Sequence, residues 1–177
     1  MPAPAERTVG VMGSSREEHA ELAEPLGRLL ARLGVNLLTG AGRGVMTAVS
    51  RAYTHADRDR GVCIGIVPAA SEAERGHPKP GYPNPFVEVA IYTHLPKSGA
   101  AGREDLSRNH INVLTSDVII ALPGSEGTAS EVELALAYGK PVSAYAANDA
   151  QLSNLSARIE RLYSIEAVEG FITSRFA

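Results

Sequence analysis

The sequence predicts an α/β protein, a doubly wound and mainly parallel sheet with helices on both faces, folded as one domain over residues 1–177. Three observations lead there. Apolar β-like runs alternate with helix-like runs along most of the chain, the pattern of a sheet covered on both sides. Three of the strand-like runs end in glycine-rich turns, and in a parallel sheet such turns gather at one edge. The composition, 44% hydrophobic and 21% charged, is that of a globular chain long enough to bury a core.

The elements follow in order. Thr8 to Met12 reads as the first strand, closed by Gly13-Ser14-Ser15. Leu22, Leu26, Leu29, Leu30 and Leu33 recur at helical spacing and predict a helix over Glu17–Leu33. Pro25 marks a kink or a broken first turn in it, and Gly34 a stop. Val35–Thr39 is a second strand, followed by Gly40-Ala41-Gly42-Arg43-Gly44 and a helix from Val45 to about His55. Val62–Val67 is a third. Pro68–Pro85 holds five prolines and no periodicity; it is a linker or a loop over the ligand-binding edge of the sheet, and the α/β units that follow favour the loop.

Phe86–Ile91 reads as a strand, Lys97–Gly102 as a polar connection, and about Arg103–Thr115 as a helix. Val118–Leu122 is a strand, then comes the turn Pro123 to Glu131 and a helix-like run from Val132 to Tyr138. Gly139-Lys140-Pro141 leads into Val142–Tyr145. A short apolar stretch near Ile159–Leu162 and a last helix from Ile165, capped by Ser164, complete the chain. Residues 1–6, rich in proline and alanine, are expected to be flexible and lack the apolar core of a signal peptide.

Several function classes are disfavoured. A net charge of −3 offers no basic footprint for nucleic acid. No apolar run approaches the ~20 residues that span a bilayer, so a cytoplasmic protein without membrane partners is expected. The single cysteine, Cys63, sits in a buried-looking strand and reads as a core residue. The histidines lack metal-ligand spacing, His110 reads as a surface or interface residue, and neither metal nor resident cofactor is expected. The dinucleotide fingerprint fails at Val45, and no P-loop Lys-Ser/Thr pair or Gly-x-Ser-x-Gly elbow is present.

The chemistry gathers at Pro123 to Glu131. A strand, a glycine turn and a helix start make an anion site, because free helix N–H groups point at the ligand. Glu131, read as a first-turn residue, either complements the helix dipole or acts on the ligand beside it. Arg108 and Asn109 read as mid-helix residues, where arginine is usually solvated.

At these residues the chain resembles the Lonely-guy (LOG) family, long mislabelled as lysine decarboxylases. Pro123 to Glu131 is similar to its PGGxGTxxE signature, with Arg108 placed fifteen residues upstream of Pro123 as in the family. Gly40-Ala41-Gly42, Gly44-Val45-Met46, Gly13-Ser14-Ser15, Asp117 and Gly139-Lys140-Pro141 match other family segments. The resemblance implies a Rossmann-like homodimer or homotetramer that hydrolyses the N-glycosidic bond of nucleoside 5′-monophosphates. Glu131 and Arg108 would be catalytic, and Gly124, Ser125, Gly127 and Thr128 would hold the phosphate. Gly13, Ser14, Ser15, Thr39, Gly40, Gly42, Gly44 and Asn109 would line the nucleoside side.

Three residues depart from that pattern: Ser125 stands at its second glycine, Glu126 adds an acid beside the phosphate cradle, and Asn109 replaces the family's lysine and removes a cation. The run Arg108-Asn109 with Asn112 instead resembles a LOG-related branch that includes the molybdenum cofactor carrier protein of algae. That branch implies the alternative, a non-catalytic carrier or sensor of a nucleotide or a pterin-phosphate. Lysine decarboxylation is disfavoured, since Lys79, Lys97 and Lys140 are the only lysines and lie in predicted loops or turns.

Overall fold

The computed structural model describes residues 5–177, so most of the N-terminal stretch expected to be flexible lies outside the described residues. Seven strands form one parallel sheet: β1 (Thr8–Met12), β2 (Asn36–Thr39), β3 (Cys63–Val67), β4 (Val89–Tyr92), β5 (Val118–Ala121), β6 (Val142–Tyr145) and β7 (Glu160–Leu162). Their order is β4-β3-β2-β1-β5-β6-β7. The chain therefore winds outward from β1 in one direction, returns, and winds outward again from β5. The crevice between β1 and β5 is the point where strand order reverses, the place where open α/β sheets bind ligands.

Five helices cover the sheet: α1 (Ala20–Leu33), α2 (Val45–His55), α3 (Asn109–Thr115), α4 (Glu126–Ala137) and α5 (Ile165–Phe176). Strand residues alternate between two apolar layers, as a period of two requires. Val9, Val11, Val118 and Ile120 pack with α1, α2 and α5, whereas Met12, Ile119 and Ala121 pack with α3 and α4. Cys63 is fully buried, and burial pushes its thiol up to about 11, consistent with a core residue. Asp117 accepts a 2.8 Å bond from the Thr8 N–H and joins the start of β5 to β1. Lys140 donates to the carbonyls of Leu114 and Ser116, closing the C-terminal end of α3.

Four element starts differ from expectation by three residues or more. Helix α1 begins at Ala20, not Glu17, because the Ser14 hydroxyl accepts the N–H groups of Arg16 and Glu17 and holds them in a turn. Strand β4 begins at Val89, not Phe86, because Asn84 Oδ1 takes the Phe86 N–H before pairing starts. Helix α3 begins at Asn109, not Arg103: the His110 ring meets the carbonyls of Arg103 and Glu104, and Ser107 accepts the Asn109 N–H. Helix α4 begins at Glu126, six residues before the apolar run that announced it. The Ile159–Leu162 stretch supplies β7, and Ser164 caps α5 by accepting the Ala167 N–H.

Candidate functional site

The turns after β1, β2 and β5 surround one cleft at the C-terminal edge of the sheet. Gly13 and Ser15 line it from the first turn, Gly40 from the second, and Ser125, Gly127 and Thr128 from the third. Because α4 starts at Glu126, the last three residues belong to its N-cap and first turn, where backbone N–H groups lack helical partners. The Ser125 side chain makes no capping bond, which leaves those donors without a side-chain cap. Gly124 does not line the cleft but makes it possible: a Cβ there would lie 2.1 Å from Thr128 Oγ1.

Arg108 is the N-cap of α3 rather than a mid-helix residue, and it is only 6% exposed. Its guanidinium lies against the β2 turn, where a Cβ on Gly40 would sit 2.2 Å from Nη1. Among the described residues, Nε and Nη1 of this buried group have no hydrogen-bond partner. A buried charge without partners is costly, so the arrangement calls for an anion from outside.

Glu131 stands in the second turn of α4, not the first, which removes the helix-dipole explanation for it; the first-turn acid is Glu126, exposed and outside the cleft. Glu131 is 8% exposed and accepts a 2.8 Å bond from Asn112 Nδ2. Burial pushes its carboxyl above the ordinary range, partly offset by the Arg108 charge and the Asn112 bond. No ion pair within 4.0 Å joins Glu131 to Arg108 among the described residues. Asn109 lines the cleft, but its Nδ2 is donated to Ser130 Oγ and ties α3 to α4.

The remaining expected residues build the turns. Thr39 is fully buried and its hydroxyl accepts the Ala41 N–H. The Ser14 N–H donates to the Pro123 carbonyl and its carbonyl accepts the Val45 N–H, joining the three turns. Gly42 and Gly44 lie outside the lining, in the β2 turn and at the N-cap of α2. Sequence reasoning missed Met46, Lys79, Tyr82, Ser98 and Gly99, which complete the walls. The signal for Lys79 was its setting, Pro78-Lys79-Pro80, in a loop already placed over this edge.

Residues 6–171 match the family model described as the SLOG cluster4 family, and the chain belongs to that family. It is similar to the molybdenum cofactor binding protein from the phototrophic bacterium Rippkaea orientalis, with 32% identity and a TM-score of 0.73, covering 100% of this chain and 99% of the other. It is also similar to the molybdenum cofactor carrier protein MCP from Chlamydomonas reinhardtii, with 26% identity and a TM-score of 0.68, covering 97% and 99%. An uncharacterised protein of Archaeoglobus fulgidus is 32% identical over 137 residues, 76% of this chain and 77% of that protein. The fold is thus the LOG-like Rossmann fold, close to the molybdenum cofactor carrier branch. Among the described residues no helix is long and apolar enough to cross a membrane.

Proposed function

We propose that this chain binds and carries a phosphorylated planar heterocycle, a pterin-phosphate of the molybdenum cofactor class or a nucleotide, without cleaving it. The observation that carries the reading is the buried Arg108 guanidinium, whose Nε and Nη1 lack partners in a cleft that the uncapped start of α4 also lines. A phosphate bound in the cleft would supply the counter-ion that this guanidinium lacks. The likeness to two molybdenum cofactor proteins over nearly the full length favours this ligand class.

Hydrolysis of a nucleoside 5′-monophosphate is the second reading, favoured by Arg108 and Glu131 lining one cleft. It needs an ionised carboxylate to stabilise an oxocarbenium-like sugar. Glu131 is instead pushed toward its neutral form by burial. The carrier is expected to work in the cytoplasm as a homodimer or homotetramer; Leu114 and Tyr138, large and exposed at the ends of α3 and α4, favour that face for the contact between copies. Sedimentation of the wild type against Leu114→Glu tests that assembly.

Incubating the protein with nucleoside 5′-monophosphates and a pterin monophosphate, with chromatography for free base, tests the choice of activity. The carrier reading expects thermal stabilisation and no released base. Base released by the wild type and not by Glu131→Ala would establish the hydrolase.

A further inference from the structure

The proline-rich segment before β4 contributes more to the cleft than a cover. Buried Asn84 fastens it to the β2 turn, with its N–H donating to the Ala41 carbonyl at 2.8 Å and its Nδ2 to the Gly42 carbonyl at 3.0 Å. The Lys79 N–H donates to the Pro68 carbonyl and the Tyr82 N–H to the Lys79 carbonyl, so both residues are held by backbone bonds as well. Tyr82 is thereby set over the turn: a Cβ on Gly42 would lie 2.7 Å from Tyr82 Oη and 2.7 Å from Met46 Cε. The aromatic ring and the thioether line the cleft at the β2 turn, and Ser125, Gly127 and Thr128 line it at the start of α4, the turn after β5. Lys79 Nζ lies 5.8 Å from the Tyr82 ring centroid and has no ion-pair partner among the described residues.

Resting on the carrier reading, we infer that Tyr82 is the stacking platform for the ligand's planar ring, and that Lys79 is a second cation acting on the ring end. The cleft then has a direction. The phosphate sits at Arg108 and the start of α4, the heterocycle lies against Tyr82 and Met46, and Lys79 meets the electron-rich edge of the ring. Lys79 also restores a positive charge that Asn109 does not supply. Because the platform is already held by Asn84, ring binding incurs little ordering cost.

The test uses the full chain and three probes: a pterin monophosphate, AMP, and ribose 5-phosphate, which keeps the phosphate and lacks the ring. Tyr82→Ala is expected to weaken both ring-bearing probes by about tenfold or more, the usual scale of aromatic stacking on a base. Ribose 5-phosphate should bind it as it binds the wild type, and Tyr82→Phe should bind all three normally. Lys79→Ala should weaken the ring-bearing probes by about fivefold at low salt and less at high salt. Comparing AMP with the pterin tells which ring the platform prefers.

Unchanged ring binding by Tyr82→Ala, or an equal loss for ribose 5-phosphate, would overturn the platform while leaving the carrier reading intact. Unchanged ring binding by Lys79→Ala at low salt would overturn the role of the lysine. Failure of the wild type to bind any probe would sink the carrier reading itself and this inference with it.

Discussion

Two arginines are drawn into this fold, and they are treated in opposite ways. The Arg58 side chain is 5% exposed and every guanidinium nitrogen is used. Nε donates to the Gly61 carbonyl, Nη1 to the Tyr53 carbonyl and Nη2 to Glu88, while the group lies 4.7 Å from the Tyr53 ring centroid. Glu88 in turn accepts the Cys63 N–H, so the network closes at the start of β3. Arg108 is equally hidden, yet Nε and Nη1 are idle and the group faces the cleft. A satisfied buried charge belongs to the scaffold. An unsatisfied one held open by a glycine is a site in waiting for its counter-ion.

The largest expected effect tests the scaffold side. Arg58→Ala removes one partner of a largely buried pair and strands Glu88, and should lower unfolding free energy by about 3 kcal/mol in denaturant titrations. Arg108→Met should behave oppositely: unfolding free energy unchanged or raised by about 1 kcal/mol, since an unpaired buried donor is removed. A loss comparable to that of Arg58→Ala would place both arginines in the scaffold and erase the contrast.

Gly40→Ala sharpens the comparison without touching a charge. Its Cβ would press on the Arg108 guanidinium at 2.2 Å, displacing it toward solvent. Affinity for AMP should fall about tenfold, the cost of one misplaced charge-assisted contact, with little change in unfolding. Retained affinity would mean that Arg108 does not need its present seat.

The smallest effect concerns Glu131, the acid beside the idle arginine. Its folded carboxyl is raised above its ordinary value, chiefly by burial, so the folded state binds the extra proton. The contribution of Glu131 to stability should therefore be greatest below about pH 4.3 and be lost as pH rises from there toward the raised value. Glu131→Gln escapes that decline. Its melting temperature should exceed that of the wild type at neutral pH, and the gap should close on acidification. A variant less stable than the wild type at neutral pH would show an ionised Glu131 paired to Arg108.

The contrast also separates what the sequence made legible from what it hid. The parallel sheet and the three turns follow from periodicity and glycine placement, whereas the sharing of one cleft by Arg108 and Glu131 was implied only by the resemblance to the LOG family. The start of α4 did not follow, because Gly127 and Ser125 favour turns locally and only packing against the sheet carries the helix back to Glu126. Arg108 read as a solvated mid-helix residue because helical spacing does not show that the His110 ring meets the carbonyls of Arg103 and Glu104, which goes with the start of α3 being delayed to Asn109. Lys79 and Tyr82 were hidden for a similar reason: Asn84 brings their aperiodic segment back over the β2 turn.

The most direct test of the account is an isothermal titration of a pterin monophosphate into wild type and Arg108→Met side by side. The account predicts saturable binding of one ligand per chain by the wild type and at least a hundredfold loss in the variant. Equal affinity in the two proteins would contradict it, because the idle arginine would then have no ligand to meet.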